Sequence, residues 1–143
     1  MKELIVMKRI ALKATPPVVW DALTNPEKTK EYFFNCEVFS DWEVGSTITF
    51  KGRMFFFKKI EMTGEILEIV PEKLLKYTLN NSDDDDESAN FSTVTDELTY
   101  QNGETILTIM DNVGQGEGVE DRYKKSVEGW DNILKGLKEL VEE

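Results

Sequence analysis

Hydrophobic and polar positions along the chain change period several times, and each change marks an element. The clearest pattern comes last. Tyr123, Val127, Trp130, Leu134, Leu137 and Val141 recur at spacings of 4, 3, 4, 3 and 4, with Ile133 and Leu140 widening the stripe. That is the apolar face of a long amphipathic helix. Such a face needs a large apolar partner surface, since each buried side chain is worth roughly 1.5–3 kcal/mol before entropy costs.

The rest of the chain supplies that surface as strands. Residues 3–14 read as a strand with Ile10, Leu12 and Ala14 on one face, ended by Thr15-Pro16-Pro17. Thr15 suits an N-cap and Pro16 a first helical position, so a short helix is predicted over 18–23. Asn25-Pro26 repeats the signal and starts a second short helix through Tyr32, Phe33 and Phe34. Period-2 alternation follows in 36–39, 47–50, 60–70 and 75–79, with a turn inside 52–59. Ser92, Val94, Asp96, Leu98 and Tyr100 share one face of a later strand, which meets a hairpin signal at Asn102-Gly103. Residues 105–112 return, with Leu107 and Ile109 together on one face. The predicted architecture is α+β. One strand, two short helices and six or so antiparallel strands precede one long helix, in a single domain over 1–143.

Composition narrows the function. The 143 residues suffice for one sizeable core. Seventeen Lys and Arg against 28 Asp and Glu give a net charge of −11, which disfavours nucleic acid and anionic membranes. The apolar run 4–7 is interrupted at once by Lys8-Arg9, too short for a membrane span. The single cysteine, Cys36, fits a reducing compartment, and a cytoplasmic location is expected. The chain has no histidine, so Ser-His-Asp or Cys-His catalysis and histidine metal sites are excluded. No cofactor and no metal are expected.

Three features invite a chemical reading. The acidic run 82–88 places Asp83, Asp85 and Glu87 at alternate positions like a calcium loop. Ser88 stands where that loop needs glycine and Val94 where it needs glutamate, so a solvated hairpin loop is the better reading. Gly114-Gln115-Gly116-Glu117-Gly118 precedes the final helix but lacks phosphate-loop spacing and carries acids beside it, which favours a connector. Asp96 is different, because alternation turns it inward with Val94 and Leu98. Buried, it would have a raised pKa; the alternative is a strand-end position or a pair with Arg53.

These segments together resemble a known family. Residues 14–26, Ala-Thr-Pro-Pro-Val-Val-Trp-Asp-Ala-Leu-Thr-Asn-Pro, look like the opening signature of the START-like (SRPBCC) helix-grip superfamily. More narrowly, they resemble its group named after the activator of heat-shock protein 90 ATPase. Trp42-Glu43-Val44-Gly45-Ser46, the run 64–71 into 75–78, Ser92-Thr93-Val94-Thr95, and Gly129-Trp130 with Leu134 and Leu137 match in order. The resemblance implies a helix-grip fold: a curved antiparallel sheet of about six or seven strands around the C-terminal helix, with a cavity between them. Relatives hold lipids, sterols, polyketides or hormones there, and some are cyclases.

Aromatic alternation facing an apolar helix then predicts the site. An apolar or amphipathic small molecule is expected among Ile48, Phe50, Ile66, Tyr77, Val94, Asp96, Leu98, Leu107, Trp130 and Leu134, with Trp20 and Phe33 near the lid. The hydroxyl of Tyr77 or Tyr100 would orient it. Two other readings stand beside this one: a protein-interaction or co-chaperone-like module docking through Phe55-Phe56-Phe57, and a cyclase-like enzyme using Asp96, Tyr77 or Arg53. A space below about 100 Å³ would argue against the binding reading, because ligand pockets run to hundreds.

Overall fold

The structure is a computed structural model and describes residues 4–54, 58–81, 91–114 and 118–142. The acidic run at 82–88, the Phe55–Phe57 patch and most of the 114–118 connector therefore lie outside the described residues, as does the Arg53 side chain.

Strand β1 (Leu4–Leu12) leads into α1 (Pro16–Thr24) and α2 (Pro26–Tyr32). Six strands follow: β2 (Cys36–Ser40), β3 (Thr47–Met54), β4 (Lys58–Val70), β5 (Leu74–Asn81), β6 (Phe91–Gln101) and β7 (Glu104–Gly114). The chain closes with α3 (Val119–Val141). The strands form one antiparallel sheet in the order β1-β7-β6-β5-β4-β3-β2. Every neighbour is a hairpin partner except β1, which pairs with β7 to close the far edge. The helices lie on the inner face.

Two boundaries differ from those expected. Helix α1 begins at Pro16, because a proline at N1 sacrifices only an N–H that no helical carbonyl would take. Helix α2 stops at Tyr32 rather than running through Phe34. Phe34 and Asn35 adopt left-handed φ values of 50° and 61°, which reverse the chain into β2 and turn Phe33 inward. The Asn25 side chain caps α2 by accepting the Glu27 N–H at 3.0 Å. Thr29, buried in α2, accepts the Val38 N–H at 3.1 Å and so ties the helix to the sheet edge.

Curvature has a local cause in β4. The register slips between Ile66 and Glu68, a bulge that increases twist. Two residues earlier stands Gly64, where a Cβ would collide with the Thr78 carbonyl of β5. The Glu65 N–H beside it bonds the Thr78 hydroxyl at 3.0 Å. The two strands approach so closely here that only glycine fits.

Helix α3 lies across the concave face and buries Trp130, Ile133, Leu134 and Leu137. Its second half packs hard on α2, where a Cβ on Gly136 would stand 2.8 Å from Tyr32 Cβ. Its end is held by Glu142, which accepts the Lys13 N–H at 2.9 Å and pairs with Lys138 at 2.7 Å. Lys8 of β1 pairs with Asp131 at 2.9 Å midway.

Gly64→Val should lower the unfolding free energy by about 3 kcal/mol, since backbone cannot yield as a side chain can. Urea denaturation measures this. A loss within about 0.5 kcal/mol would show that the β4–β5 approach is not a constraint.

Candidate functional site

Among the described residues two spaces between sheet and helix stand out, and they differ greatly. The inner one is an enclosed void of about 20 Å³ bounded by Phe33, Ile48, Phe50, Tyr77, Asp96, Trp130 and Leu134, with Leu23, Thr29, Tyr32, Leu75, Ile109, Ile133 and Leu137. That holds about one water and no organic ligand. It is small because aromatic rings fill it. Phe33 stacks on Phe50 with centroids 4.6 Å apart and meets the edge of Trp130 at 6.0 Å. Phe50 in turn contacts Tyr77 at 6.0 Å.

The second space is a cavity of about 270 Å³, open to solvent, under the first half of α3. Phe33, Phe34, Met62, Leu79, Val113, Trp130 and Ile133 give it apolar walls. Asp111, Ser126, Arg122, Lys125 and Ser92 add polar groups, and Gly129 removes the side chain that would otherwise block it. A Cβ on Gly129 would make only ordinary contact, 3.5 Å from Phe34 Cζ.

The larger space therefore lies further along the helix than the expected site. Of the residues named from the sequence, only Phe33 and Trp130 line the open cavity, and they form the wall it shares with the inner void. Ile48, Phe50, Tyr77, Asp96 and Leu134 surround only the void. Ile66, Val94, Leu98 and Leu107 are packed core, and Trp20 is partly buried against it; they line neither space. Tyr100 is 53% exposed next to the β6–β7 turn, so its hydroxyl does not orient anything beneath the helix. Alternation places Tyr100 on the inner face, but β6 outruns the helix there.

The buried polar groups centre on two carboxylates. Asp96 of β6 pairs across the sheet with Ile109, and Asp111 of β7 with Val94, so the acids are diagonal neighbours on the inner face. They are 4% and 5% exposed. Asp111 Oδ2 accepts the Trp130 indole N–H at 2.9 Å and the Ser126 hydroxyl at 2.5 Å. Neither Oδ1 has a hydrogen-bond partner among the described residues. Burial, helped by the charge of Asp111, pushes the Asp96 carboxyl up to about 7. Burial and then the Asp96 charge also raise the Tyr77 phenol. The Tyr32 phenol is raised for the same reasons, and its hydroxyl donates to the Ala22 carbonyl at 2.7 Å. Cys36 is buried, its thiol pushed up to about 11, which makes it a poor nucleophile.

Above this floor stand two cations. Arg122 donates to the Val113 carbonyl at 3.1 Å, and Lys125 is an exposed residue one turn from Asp121. The sequence reading did not single out Asp111 or Ser126. Asp111 was available by the argument that flagged Asp96, since it alternates with Leu107 and Ile109. Ser126 sits four residues before Trp130, on the flank of the apolar stripe.

A bent antiparallel sheet gripping a C-terminal helix, with two short helices after the first strand, defines the helix-grip class. The profile described as Activator of Hsp90 ATPase homolog 1-like protein matches residues 13–142, and the chain belongs to that family. Among solved structures, protein ChR145 from Cytophaga hutchinsonii is similar at 32% identity and TM-score 0.78, over 99% of this chain and 97% of that one. Protein CV1439 from Chromobacterium violaceum is similar at 26% identity and TM-score 0.79, over 97% of both chains. The Aha1 dimer from Colwellia psychrerythraea shares the fold at 20% identity and TM-score 0.74, over 97% and 96%. No curated protein matches the chain. Among the described residues no helix is long and apolar enough to cross a membrane.

The Asp96 carboxyl generates a pH signature. A carboxyl whose pKa rises on folding contributes stability that is complete below its unfolded pKa of about 3.9 and is lost as pH climbs through its folded value. Asp96→Asn, which mimics the protonated form, should therefore match wild type near pH 4 and exceed it increasingly up to about pH 7. Unfolding free energies of both proteins across that range check this. A difference that stays flat or shrinks as pH rises would contradict it.

Proposed function

We propose that the chain binds an apolar or amphipathic small molecule in the open cavity under the first half of α3. The observation that carries this reading is the 270 Å³ space itself, walled by aromatic and aliphatic side chains and furnished with a few converging polar groups. Its size falls just short of the usual range for ligand sites, and its composition is that of one. Membership of a family with the helix-grip architecture is consistent with ligand binding. Burial of ligand surface against Phe33, Phe34, Met62, Leu79 and Trp130 would supply most of the affinity.

Position also separates binding from catalysis. Asp96, the carboxyl whose pKa burial raises, borders the inner void and not the open cavity. A molecule in the cavity does not touch it. Tyr77 lies behind the same aromatic wall. This arrangement supports a binding role over a cyclase-like one.

Gly129→Leu tests the reading. Leucine has a better helix propensity than glycine by about 1 kcal/mol, and its side chain would project into the cavity. The variant should fold at least as stably as wild type and lose the lipid-extract components that native mass spectrometry finds on wild type. Retention of the same components by Gly129→Leu, or none on wild type, would rule the cavity out as a binding site.

A further inference from the structure

Polar atoms at the cavity floor are not interchangeable, because their protons are already committed. Ser126 has one hydroxyl proton, and it goes to Asp111 Oδ2. The Trp130 indole has one N–H, and it goes to the same oxygen. Ser126 Oγ is thus left with lone pairs facing the cavity it lines, polarised by a nine-tenths-buried carboxylate. Asp111 Oδ1 has no partner among the described residues but is buried out of reach. A molecule entering meets the Ser126 acceptor at the floor and needs a donor to use it.

Charge then selects the kind of donor. A carboxylate head at this depth would face Asp111, with Asp96 diagonal to it on the next strand. An ammonium would enter past Arg122 and Lys125, which line the same cavity. Each ionic sign meets a like charge that offsets the opposite one, whereas a neutral hydroxyl meets no repulsion.

We propose that Ser126, oriented by Asp111, is the polar anchor of the ligand, and that the ligand is an apolar, ring-bearing molecule carrying a neutral hydroxyl that donates to Ser126 Oγ. The ring belongs between Phe33, Phe34 and Trp130, whose faces and edges favour aromatic partners. This rests on the cavity being the ligand site, and the test keeps the two claims apart.

Four probes of one size, 2-naphthol, 2-methylnaphthalene, 2-naphthoate and 2-naphthylmethylammonium, are titrated by calorimetry at neutral pH into wild type, Ser126→Ala and Gly129→Leu. Wild type should bind 2-naphthol about tenfold tighter than 2-methylnaphthalene, the upper end of what one neutral hydrogen bond contributes, and both ions more weakly still. Ser126→Ala should erase the naphthol preference while leaving 2-methylnaphthalene affinity unchanged, a split that general loosening of the fold would not produce. Gly129→Leu should bind none. Equal binding of naphthol and methylnaphthalene by wild type, a naphthol preference that survives Ser126→Ala, or an ion that binds tightest would each overturn the anchor and leave the cavity reading standing. Failure of all four probes on wild type would overturn the cavity reading and the anchor with it.

Discussion

The Trp130 indole N–H donates to Asp111 at 2.9 Å, and much of the molecule is arranged around that bond. Trp130 is the first buried residue met along the terminal helix. Its ring divides the space beneath the helix into a closed part and an open part. An indole N–H in an apolar interior needs an acceptor, and Asp111 is the acceptor available. A buried carboxylate in turn needs donors, which Trp130 and Ser126 supply. Each group makes the other's burial tolerable, and together they fix the rotation of α3 about its axis. That rotation points Leu134 and Leu137 at the core and exposes the flank bearing Ser126 and Gly129 to the cavity.

Most of the fold was legible because each element carries its own period. The stripe from Tyr123 to Val141 could only be a helix face, and the alternations around Tyr77, Val94 and Leu107 could only be strands with one side indoors. Boundaries were less legible where a backbone conformation decides them. Nothing in Phe33-Phe34-Asn35 announces two left-handed residues, yet that reversal drives Phe33 into the middle of the molecule. A space between sheet and helix was legible, but not the position along the helix at which it opens. Alternation tells which side chains face inward and is silent about which of them meet. The rings of Phe33, Phe50, Tyr77 and Trp130 were expected to surround a ligand, and instead they surround one another. Closeness of that kind depends on how far α3 sinks into the sheet, which Gly136 against Tyr32 settles from across the molecule.

Two inward acids on adjacent strands also explain how the charge of the interior is handled. Asp111 has neutral donors to lean on, while Asp96 has none among the described residues. Asp96 is the one whose carboxyl is pushed up to about 7 by burial, so it goes uncharged over much of the acid range. The void beside Asp96 has room for a single water, and a water there would meet its unsatisfied oxygen.

All four buried residues of α3 lie at or beyond position 130, although the helix begins at Val119. The eleven residues from Val119 to Gly129 are held by lighter ties: Tyr123 and Val127 pack partly buried against the core, Ser126 bonds Asp111 and Arg122 bonds Val113. The helix is thus gripped more firmly at one end than at the other. Its amides should exchange with solvent deuterium fastest near Val119, slow down toward Trp130, and be most protected around Leu137. The more lightly held half is the one above the open cavity, so loosening it leaves the core beneath Leu134 and Leu137 shut.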